Sequence, residues 1–373
     1  MAEACSLCGT VLVPGEPVTG GMCPACTRRA RVREHHRAAL LGLAIGDALG
    51  ASAEFKKPGE YPFTTARTGP LREIKGGGTF RVAPGQVTDD TQMACCLAET
   101  LRVHGQFVMA DVAARYLEWS RHAFDIGAQT RRVISRLERG EEPLAASREV
   151  WRLSARPPAG NGSLMRAAPI AVFFKDAEAR REAALADAAV THWDARCRLA
   201  GVAFTTALGV CFEAVARGDP PSQAMAIGIA QEDVGRATQL LLARLPAEES
   251  AIRRAAEAIH LDLQMATVPD PMLYTDDLHF FRHSGFVRVS FRLAFWQLIH
   301  APSLEEALID VVNRGGDADT NAAITGALLG AFHGPGAIPP RWERTVLDAL
   351  QSGPPSPLRD MYHPRALLKS LAV

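Results

Sequence analysis

Residues 87–101 read VTDDTQMACCLAETL and place two adjacent carboxylates directly before an apolar run with helical spacing. Asp89 and Asp90 stand there between Thr88 and Thr91. Such residues cap helix N-termini, because their oxygens accept unpaired backbone N–H groups and their charge complements the helix dipole. Two ionised groups side by side, however, repel each other and are costly to bury without a cation. The stretch therefore predicts the start of a buried helix and leaves capping and metal binding both open.

Helical spacing recurs along the rest of the chain, and strand signals are nearly absent. RLAFWQLIHA (292–301) and NAAITGALLGAF (321–332) both carry apolar residues three and four positions apart. Glycines and prolines cluster between such segments, at 56–86 and 155–163, which predicts loops there. The long first loop leads into the Asp89–Asp90 pair, and long loops in compact domains are usually functional or mobile. The sequence predicts a compact, all-α, multi-helix domain.

Composition excludes several other classes of protein. Hydrophobic residues make up 47% of the 373 residues and charged residues 22%, as in ordinary globular proteins. The formal net charge of zero argues against a chain-wide basic surface for nucleic acid. The sequence predicts no membrane span and no signal peptide, because no run approaches 20 apolar residues and the first residues lack a basic, then apolar, pattern. We therefore expect a soluble, cytoplasmic protein without a membrane partner.

Two C-x-x-C pairs stand near the N-terminus, separated by 14 residues, and consist of Cys5, Cys8, Cys23 and Cys26. Each pair can present two thiolates to one ion, and together they complete a closed tetrahedral zinc site. The disulfide alternative needs an oxidising compartment, which no other feature indicates. We predict one structural Zn²⁺ that largely folds this small segment.

These patterns predict three parts: a zinc-ribbon-like module at 1–36, a helical catalytic domain at 37–350 and an irregular C-terminal tail at 351–373. The basic stretch TRRARVREHHR (27–37) predicts a solvated linker or the exposed face of a first helix. Nucleic-acid binding by the module is the less favoured alternative, because residues 1–37 contain no Phe, Tyr or Trp for base stacking.

A second acidic cluster follows a Gly-Gly turn and precedes another apolar helix, and it comprises Asp317, Asp319 and Thr320. Two such helix starts meeting head to head would bring four carboxylates and two hydroxyls into one pocket. Oxygen ligands of this kind suit Mg²⁺ or Mn²⁺, and four carboxylates suffice for two ions. Two unrelated caps remain the alternative.

Two further segments offer polar groups. In GDALGASAEF (46–55), Asp47 and Glu54 lie seven residues apart, which predicts two turns of one helix and a shared face. The residues around them are small and apolar, so these carboxylates would be partly buried and in need of partners. The Gly-Asn-Gly-Ser turn at 160–163 can offer N–H groups and an amide to an oxyanion or to sugar hydroxyls.

Six motifs in this order resemble those of the ADP-ribosylglycohydrolase family, which includes the dinitrogenase reductase-activating glycohydrolase. They are GDALGASAEF (46–55), VTDDTQM (87–93), DIGAQTRR (125–132), GNGSLMRAAP (160–169), THWDARC (191–197) and VNRGGDADTNAAITGALLGA (312–331). The likeness runs from about Arg37 to about Trp342 and excludes the cysteine module. It implies a compact all-α fold with two Mg²⁺ or Mn²⁺ ions that hydrolyses the N- or O-glycosidic bond between ADP-ribose and a modified target.

The resemblance also implies roles for individual residues. The implied metal ligands are Thr88, Asp89, Asp90, Asp317, Asp319 and Thr320, and the implied substrate contacts are Asn161, Gly162, Ser163 and His192. Glu54 matches a glutamate on a flexible loop at the metals, and Asp125 matches an acid near the reacting ribose. Glu54, Asp125 and Asp90 are the catalytic candidates, because glycosidic cleavage needs carboxylates that stabilise an oxocarbenium-like state and protonate the leaving group. For His192, a hydrogen-bonded position in the core is an interpretation equally good as contact with substrate.

The expected substrate is an ADP-ribosylated protein or another ADP-ribosyl compound, with DIGAQT favouring arginine linkage. Two non-enzymatic alternatives are a binding protein that retains the fold and an adaptor that acts through its zinc module. A binding-only descendant would tolerate loss of a ligand carboxylate, and the complete acidic set argues against it.

Overall fold

The computed structural model describes residues 4–8, 10, 20–57, 70–156, 158–351 and 360–371. Within these ranges the regular structure is helical, and β-pairing is confined to isolated bridges such as Gly160 with Phe286. The all-α prediction is confirmed. Of the long loop predicted at 56–86, residues 58–69 lie outside the described residues, and the remainder is irregular.

Most of the helices follow one another with short connections, whereas residues 51–88 separate the first helix from the second and residues 266–286 the tenth from the eleventh. They are α1 Pro24–Gly50, α2 Asp89–His104, α3 Met109–Ser120, α4 Ala128–Leu137, α5 Pro143–Leu153, α6 Ala168–Phe173, α7 Ala177–Thr191, α8 Ala195–Arg217, α9 Gln223–Arg244, α10 Glu249–Met265, α11 Val287–His300, α12 Leu304–Asn313, α13 Ala318–His333, α14 Pro340–Asp348 and α15 Pro364–Ser370, with 3₁₀ turns at Pro246–Glu248 and Pro335–Ala337.

Helices α1 and α13 form the centre of the domain and touch through their backbones. A Cβ added at Gly42 would lie 2.1 Å from the carbonyl oxygen of Gly326, and one at Gly46 would lie 2.1 Å from that of Ala322. Any side chain there would force the helices apart. Because the pairing runs in opposite directions, the C-terminal end of α1 meets the N-terminal end of α13. This contact brings the GDALGASAEF segment (46–55) next to the second acidic cluster (317–320).

Helix α8 is long and apolar enough to cross a membrane by length and composition, with a mean hydropathy of 1.8. Its apolar window is nevertheless 89% buried inside the protein, against α7, α9 and α1. The helix therefore belongs to the protein core.

The C-terminal tail, predicted to be irregular, contains helix α15, so that part of the prediction is wrong. Pro364 occupies its first turn, and Leu367 and Leu368 are buried where α15 packs against α2. Tertiary burial of two leucines outweighs the weak local signal of a seven-residue helix. Residues 352–359 lie outside the described residues.

The four N-terminal cysteines lie together, with their sulfur atoms within 4.8 Å of one another and none in a disulfide. Cys8 Sγ lies 3.8 Å from Cys23 Sγ, which matches two sulfurs of a tetrahedral site with bonds of about 2.3 Å. The backbone N–H of Cys23 donates to Cys5 Sγ and lowers the pKa of that thiol to about 6. The geometry fits the predicted zinc site. Cys26 lies in the first turn of α1, and α1 continues through the predicted boundary at residue 36 into the domain.

We expect Cys5→Ser combined with Cys8→Ser to release one zinc ion per chain and to leave activity and the main melting transition largely unchanged. The buried packing of α1 begins at His36, more than two turns beyond Cys26. Zinc content by mass spectrometry and differential scanning calorimetry would measure both effects. Cys95→Ala, a core cysteine outside the module, is the control that should retain zinc. A wild-type protein without zinc would contradict the prediction.

Candidate metal and substrate site

Asp47 caps helix α2 from the neighbouring helix α1. Its carboxylate accepts hydrogen bonds from the backbone N–H of Thr88 at 2.9 Å and of Thr91 at 3.1 Å, and from both threonine hydroxyls at 2.9 and 2.6 Å. The side chain is fully buried, and burial raises its pKa to about 6 despite these bonds. The sequence suggested that residues of the TDDT stretch (88–91) cap α2 themselves. In the structure Asp47 supplies the cap.

Asp89 and Asp90 are consequently free of capping. Asp90 Oδ2 accepts a bond from the Thr88 hydroxyl at 3.1 Å, while Oδ1 is buried and has no hydrogen-bond partner among the described residues. Asp89 lines the cleft described below. A buried carboxylate oxygen without a donor is costly, and a bound cation removes that cost.

Glu54 lies with the second acidic cluster, but its position in the chain's secondary structure differs from the predicted one. Helix α1 ends at Gly50, so Glu54 lies in the following turn and not on a helical face shared with Asp47. That turn pairs with the Gly-Gly turn before α13: the N–H of Gly316 donates to the Lys56 carbonyl at 2.9 Å, and a Cβ on Gly315 would lie 2.0 Å from the same oxygen. The two glycines therefore admit the backbone of the Glu54 turn.

Carboxylate oxygens of Glu54, Asp317 and Asp319 lie within 4.8 Å of one another. Asn161 Nδ2 donates to Asp317 Oδ2 at 2.6 Å and holds it in place, and Glu54 Oε2 is buried with no partner among the described residues. Burial first, and repulsion from Asp319 and other carboxylates second, raise the pKa of Glu54.

The other acids of the cluster show the same effect. Burial, followed by the neighbouring carboxylates, raises the pKa of Asp89, Asp90 and Asp319. So many buried like charges are stable together only when protonated or neutralised by cations. Oxygen donors, unpartnered oxygens and crowded negative charge together fit hard divalent ions such as Mg²⁺ or Mn²⁺.

Glu54, Asp89, Asp317 and Asp319 form the floor of a cleft of about 570 Å³. Asp125 lies half-buried in its wall, where burial and the charge of Asp317 raise its pKa to about 7. His192 also lines the cleft, and burial holds the pKa of its imidazole well below the ordinary value. Its ring bonds to the Thr191 hydroxyl at 2.8 Å and lies under the Gly160–Gly162 loop, where a Cβ on Gly162 would come within 3.0 Å of it. His192 is therefore a neutral support for that loop.

The sequence-predicted site residues divide into two groups. The cleft is lined by Glu54, Asp89, Asp125, Asn161, Gly162, His192, Asp317, Asp319 and Thr320, whereas Thr88, Asp90 and Ser163 lie outside its lining. Thr88 is occupied by Asp47 and Asp90. Ser163 Oγ is buried with no hydrogen-bond partner in the described ranges. The amide of Asn161 is also occupied, because it donates to Asp317 and to the Ser290 hydroxyl.

A basic groove adjoins the acidic cleft, and the sequence analysis missed it. Arg132, Arg156 and Arg196 line this groove of about 480 Å³, which shares Gln129 and Gly160 with the cleft. These arginines are widely separated along the chain, so spacing alone could not unite them. Three phenylalanines also lie at the cleft, Phe55, Phe80 and Phe124, in edge-on contacts of 6.5 and 5.7 Å between ring centres.

Comparison with known proteins decides the family, since residues 28–367 match the model of ADP-ribosylglycohydrolases. The chain belongs to the ADP-ribosylglycohydrolase family. It is 32% identical over 316 residues to ADP-ribosyl-[dinitrogen reductase] glycohydrolase of Rhodospirillum rubrum, covering 83% of this chain and 89% of that protein. It is 30% identical over 343 residues to ADP-ribosylarginine hydrolase Tri1 of Pseudomonas putida (strain GB-1), covering 86% and 77%.

A solved structure, described as an ADP-ribosylglycohydrolase-related protein complex, is similar over 92% of this chain and 98% of its own, with a TM-score of 0.65 and 28% identity. The predicted fold, family and enzyme class are confirmed: this ADP-ribosylglycohydrolase is a hydrolase that cleaves the glycosidic bond of ADP-ribose in a modified target.

We expect Asp47→Asn to destabilise this ADP-ribosylglycohydrolase by about 3 kcal/mol or more, because the amide nitrogen is a donor and leaves a buried backbone N–H of α2 without an acceptor. Denaturant unfolding would measure the loss. Asp176→Asn is the matched control, since Asp176 caps α7 at the surface through one bond from Ala179 at 2.8 Å, which asparagine can keep. Equal losses in the two variants would contradict the proposed role of Asp47.

Proposed function

We propose that this enzyme releases ADP-ribose from arginine side chains of modified proteins and uses two Mg²⁺ or Mn²⁺ ions for it. The observation that carries the proposal is a cleft lined by buried carboxylates that adjoins a groove lined by arginines. One of these carboxylates, Glu54, has an oxygen without a partner among the described residues. ADP-ribose has the matching chemistry, with a ribose diol at one end and a diphosphate beyond it. Both relatives named above are named for hydrolysis of ADP-ribosylated targets, and one name specifies ADP-ribosylarginine.

The ligands proposed for these ions are Thr88, Asp89, Asp90, Asp317, Asp319 and Thr320, with Glu54 beside them. Bound there, the ions would supply Lewis-acid stabilisation and a water of lowered pKa. Asn161 holds Asp317 in position by its 2.6 Å hydrogen bond. Thr88 links Asp90 to Asp47 and so ties the first ligand group to α1.

Asp125 is the proposed general acid for the leaving guanidine nitrogen. It lies in the wall of the cleft, where burial raises its pKa and favours the protonated form that a general acid needs. Glu54 is the second candidate for proton transfer, because Oε2 has no partner among the described residues. Arg132 and Arg156 are proposed to face the diphosphate, which arginine recognises through paired hydrogen bonds.

The cysteine module is proposed to hold one structural Zn²⁺ through Cys5, Cys8, Cys23 and Cys26. Four sulfurs close a tetrahedral site and leave no open position for substrate. The module therefore has no proposed part in the chemical step.

The experiment is an assay of substrate linkage. The protein is incubated with Mg²⁺ or Mn²⁺ and with arginine-, serine- or nucleic-acid-linked ADP-ribose, and free ADP-ribose is detected. We expect release from the arginine-linked substrate, and loss of that release on chelation with EDTA. Release only from a serine- or nucleic-acid-linked substrate would overturn the proposal.

A further inference from the structure

A second large cavity lies near the other end of helix α1, far from the catalytic cleft. It measures about 750 Å³ and is enclosed by α1, the connection between α6 and α7, helix α8 and the end of α15. Arg29, in its wall, precedes Gly50 by 21 residues, which is about 32 Å along a helix. The cavity is therefore separate from the site of hydrolysis.

One face of α1 supplies positive charge to this cavity. Arg29, Val32, Arg33 and His36 line it at helical spacing, whereas Arg31 points away from that face and is absent from the lining. Arg29 and Arg33 are exposed and make no ion pair with any residue that the structure describes. Lys175 adds a further exposed ammonium group.

A buried arginine forms another part of the wall. Arg180 is 2% exposed, and its guanidinium lies over Gly209 of α8, where a Cβ would come within 2.3 Å of Cζ. Its Nη1 donates to the carbonyl of Phe174 at 3.2 Å and its Nη2 to Glu213 at 3.3 Å. Its buried Nε–H has no acceptor among the described residues. The Glu213 carboxylate is the counter-ion of Arg180, and the Nε–H is buried against Gly209 and not open to the cavity.

Aromatic rings complete the cavity. His36 meets the ring of Phe212 edge-on, with 4.3 Å between ring centres, and Phe173 meets Phe174 at 4.9 Å. All four rings line the cavity. Burial lowers the pKa of His36 to about 4, so its imidazole is neutral near pH 7 and offers one donor and one acceptor.

We propose that this cavity binds a nucleoside di- or triphosphate, with the phosphates against Arg29 and Arg33 and the base against the phenylalanine rings. The volume lies within the range of small-molecule sites. Arginines recognise phosphate oxygens through paired hydrogen bonds, and aromatic faces stack on nucleobases. An inorganic anion would not contact the phenylalanine rings. An uncharged aromatic ligand would not pair with the arginines.

Isothermal titration of the full-length, zinc-loaded protein with ATP and with ADP would test the proposal. Excess Mg²⁺ is present throughout, and the variants below separate binding at this cavity from binding at the catalytic cleft. We expect binding of one nucleotide per chain at this cavity, about tenfold or more tighter than binding of pyrophosphate. Arg33→Glu should weaken nucleotide binding about tenfold or more, whereas Arg31→Glu, an equal charge change two residues away on the same helix, should leave it nearly unchanged.

The variant pair assigns the heat to this cavity even where a nucleotide also enters the cleft, so the outcome is independent of the proposed hydrolytic function. Equal weakening in the two variants would overturn the proposal, because the binding would then reflect net charge alone. Pyrophosphate binding as tightly as ATP would overturn recognition of the base. An acidic peptide binding where neither nucleotide does would reassign the cavity to a protein partner.

Discussion

Asp319→Asn is expected to leave a folded protein whose release of ADP-ribose falls by about a thousandfold or more. Asp319 is buried at the start of α13, within 4.8 Å of carboxylate oxygens of Glu54 and Asp317. Asparagine keeps the shape and the bond from the Thr320 N–H, but it removes a charged ligand that the other oxygens cannot replace. Single-turnover release of ADP-ribose and circular dichroism on the same sample would measure activity and fold.

Asp89→Asn should have the same effect, because Asp89 belongs to the other ligand group. Asp276→Asn is the control for the amide substitution, since the Asp276 side chain is 94% exposed and lies outside the cleft lining. Turnover near the wild-type rate in Asp319→Asn or Asp89→Asn would refute the binuclear metal site.

Glu54→Ala is expected to slow release of ADP-ribose by about a hundredfold or more, the range for loss of a proton-transfer group. The variant should keep most of its Mg²⁺ or Mn²⁺ and still bind ADP-ribose, because six other candidate ligands remain on α2 and α13 or directly before them. Calorimetric titration with ADP-ribose and single-turnover hydrolysis would separate binding from chemistry.

Glu257→Ala, at an exposed glutamate of α10, is the matched control and should behave as wild type. If ADP-ribose binding disappeared together with activity in Glu54→Ala, Glu54 would be a structural ligand. Asp125 would then be the preferred acid.

Local patterns were enough to predict much of this protein. The all-α class, the start of α2 at Asp89 and the start of α13 beside Asp317 are visible in the sequence, because apolar periodicity and helix-start residues are short-range features. The two C-x-x-C pairs are equally local, and their sulfurs do lie together. Motif order identified the family before any geometry was known.

Contacts between distant residues were decided only by the tertiary structure. The capping of α2 by Asp47 joins positions 41 residues apart, and Glu54 reaches Asp319 only because α1 ends at Gly50 and its following turn packs on Gly315. Helical spacing therefore predicted the wrong position for Glu54.

The same limit explains the arginine groove and the second cavity. Their walls come from several helices whose order in space depends on packing, above all on the glycine contacts between α1 and α13. By itself the sequence determined which residues begin helices and which chemistry they carry, because these depend on near neighbours along the chain. Packing alone decided which of those residues share a pocket, since that depends on contacts between residues far apart in the chain.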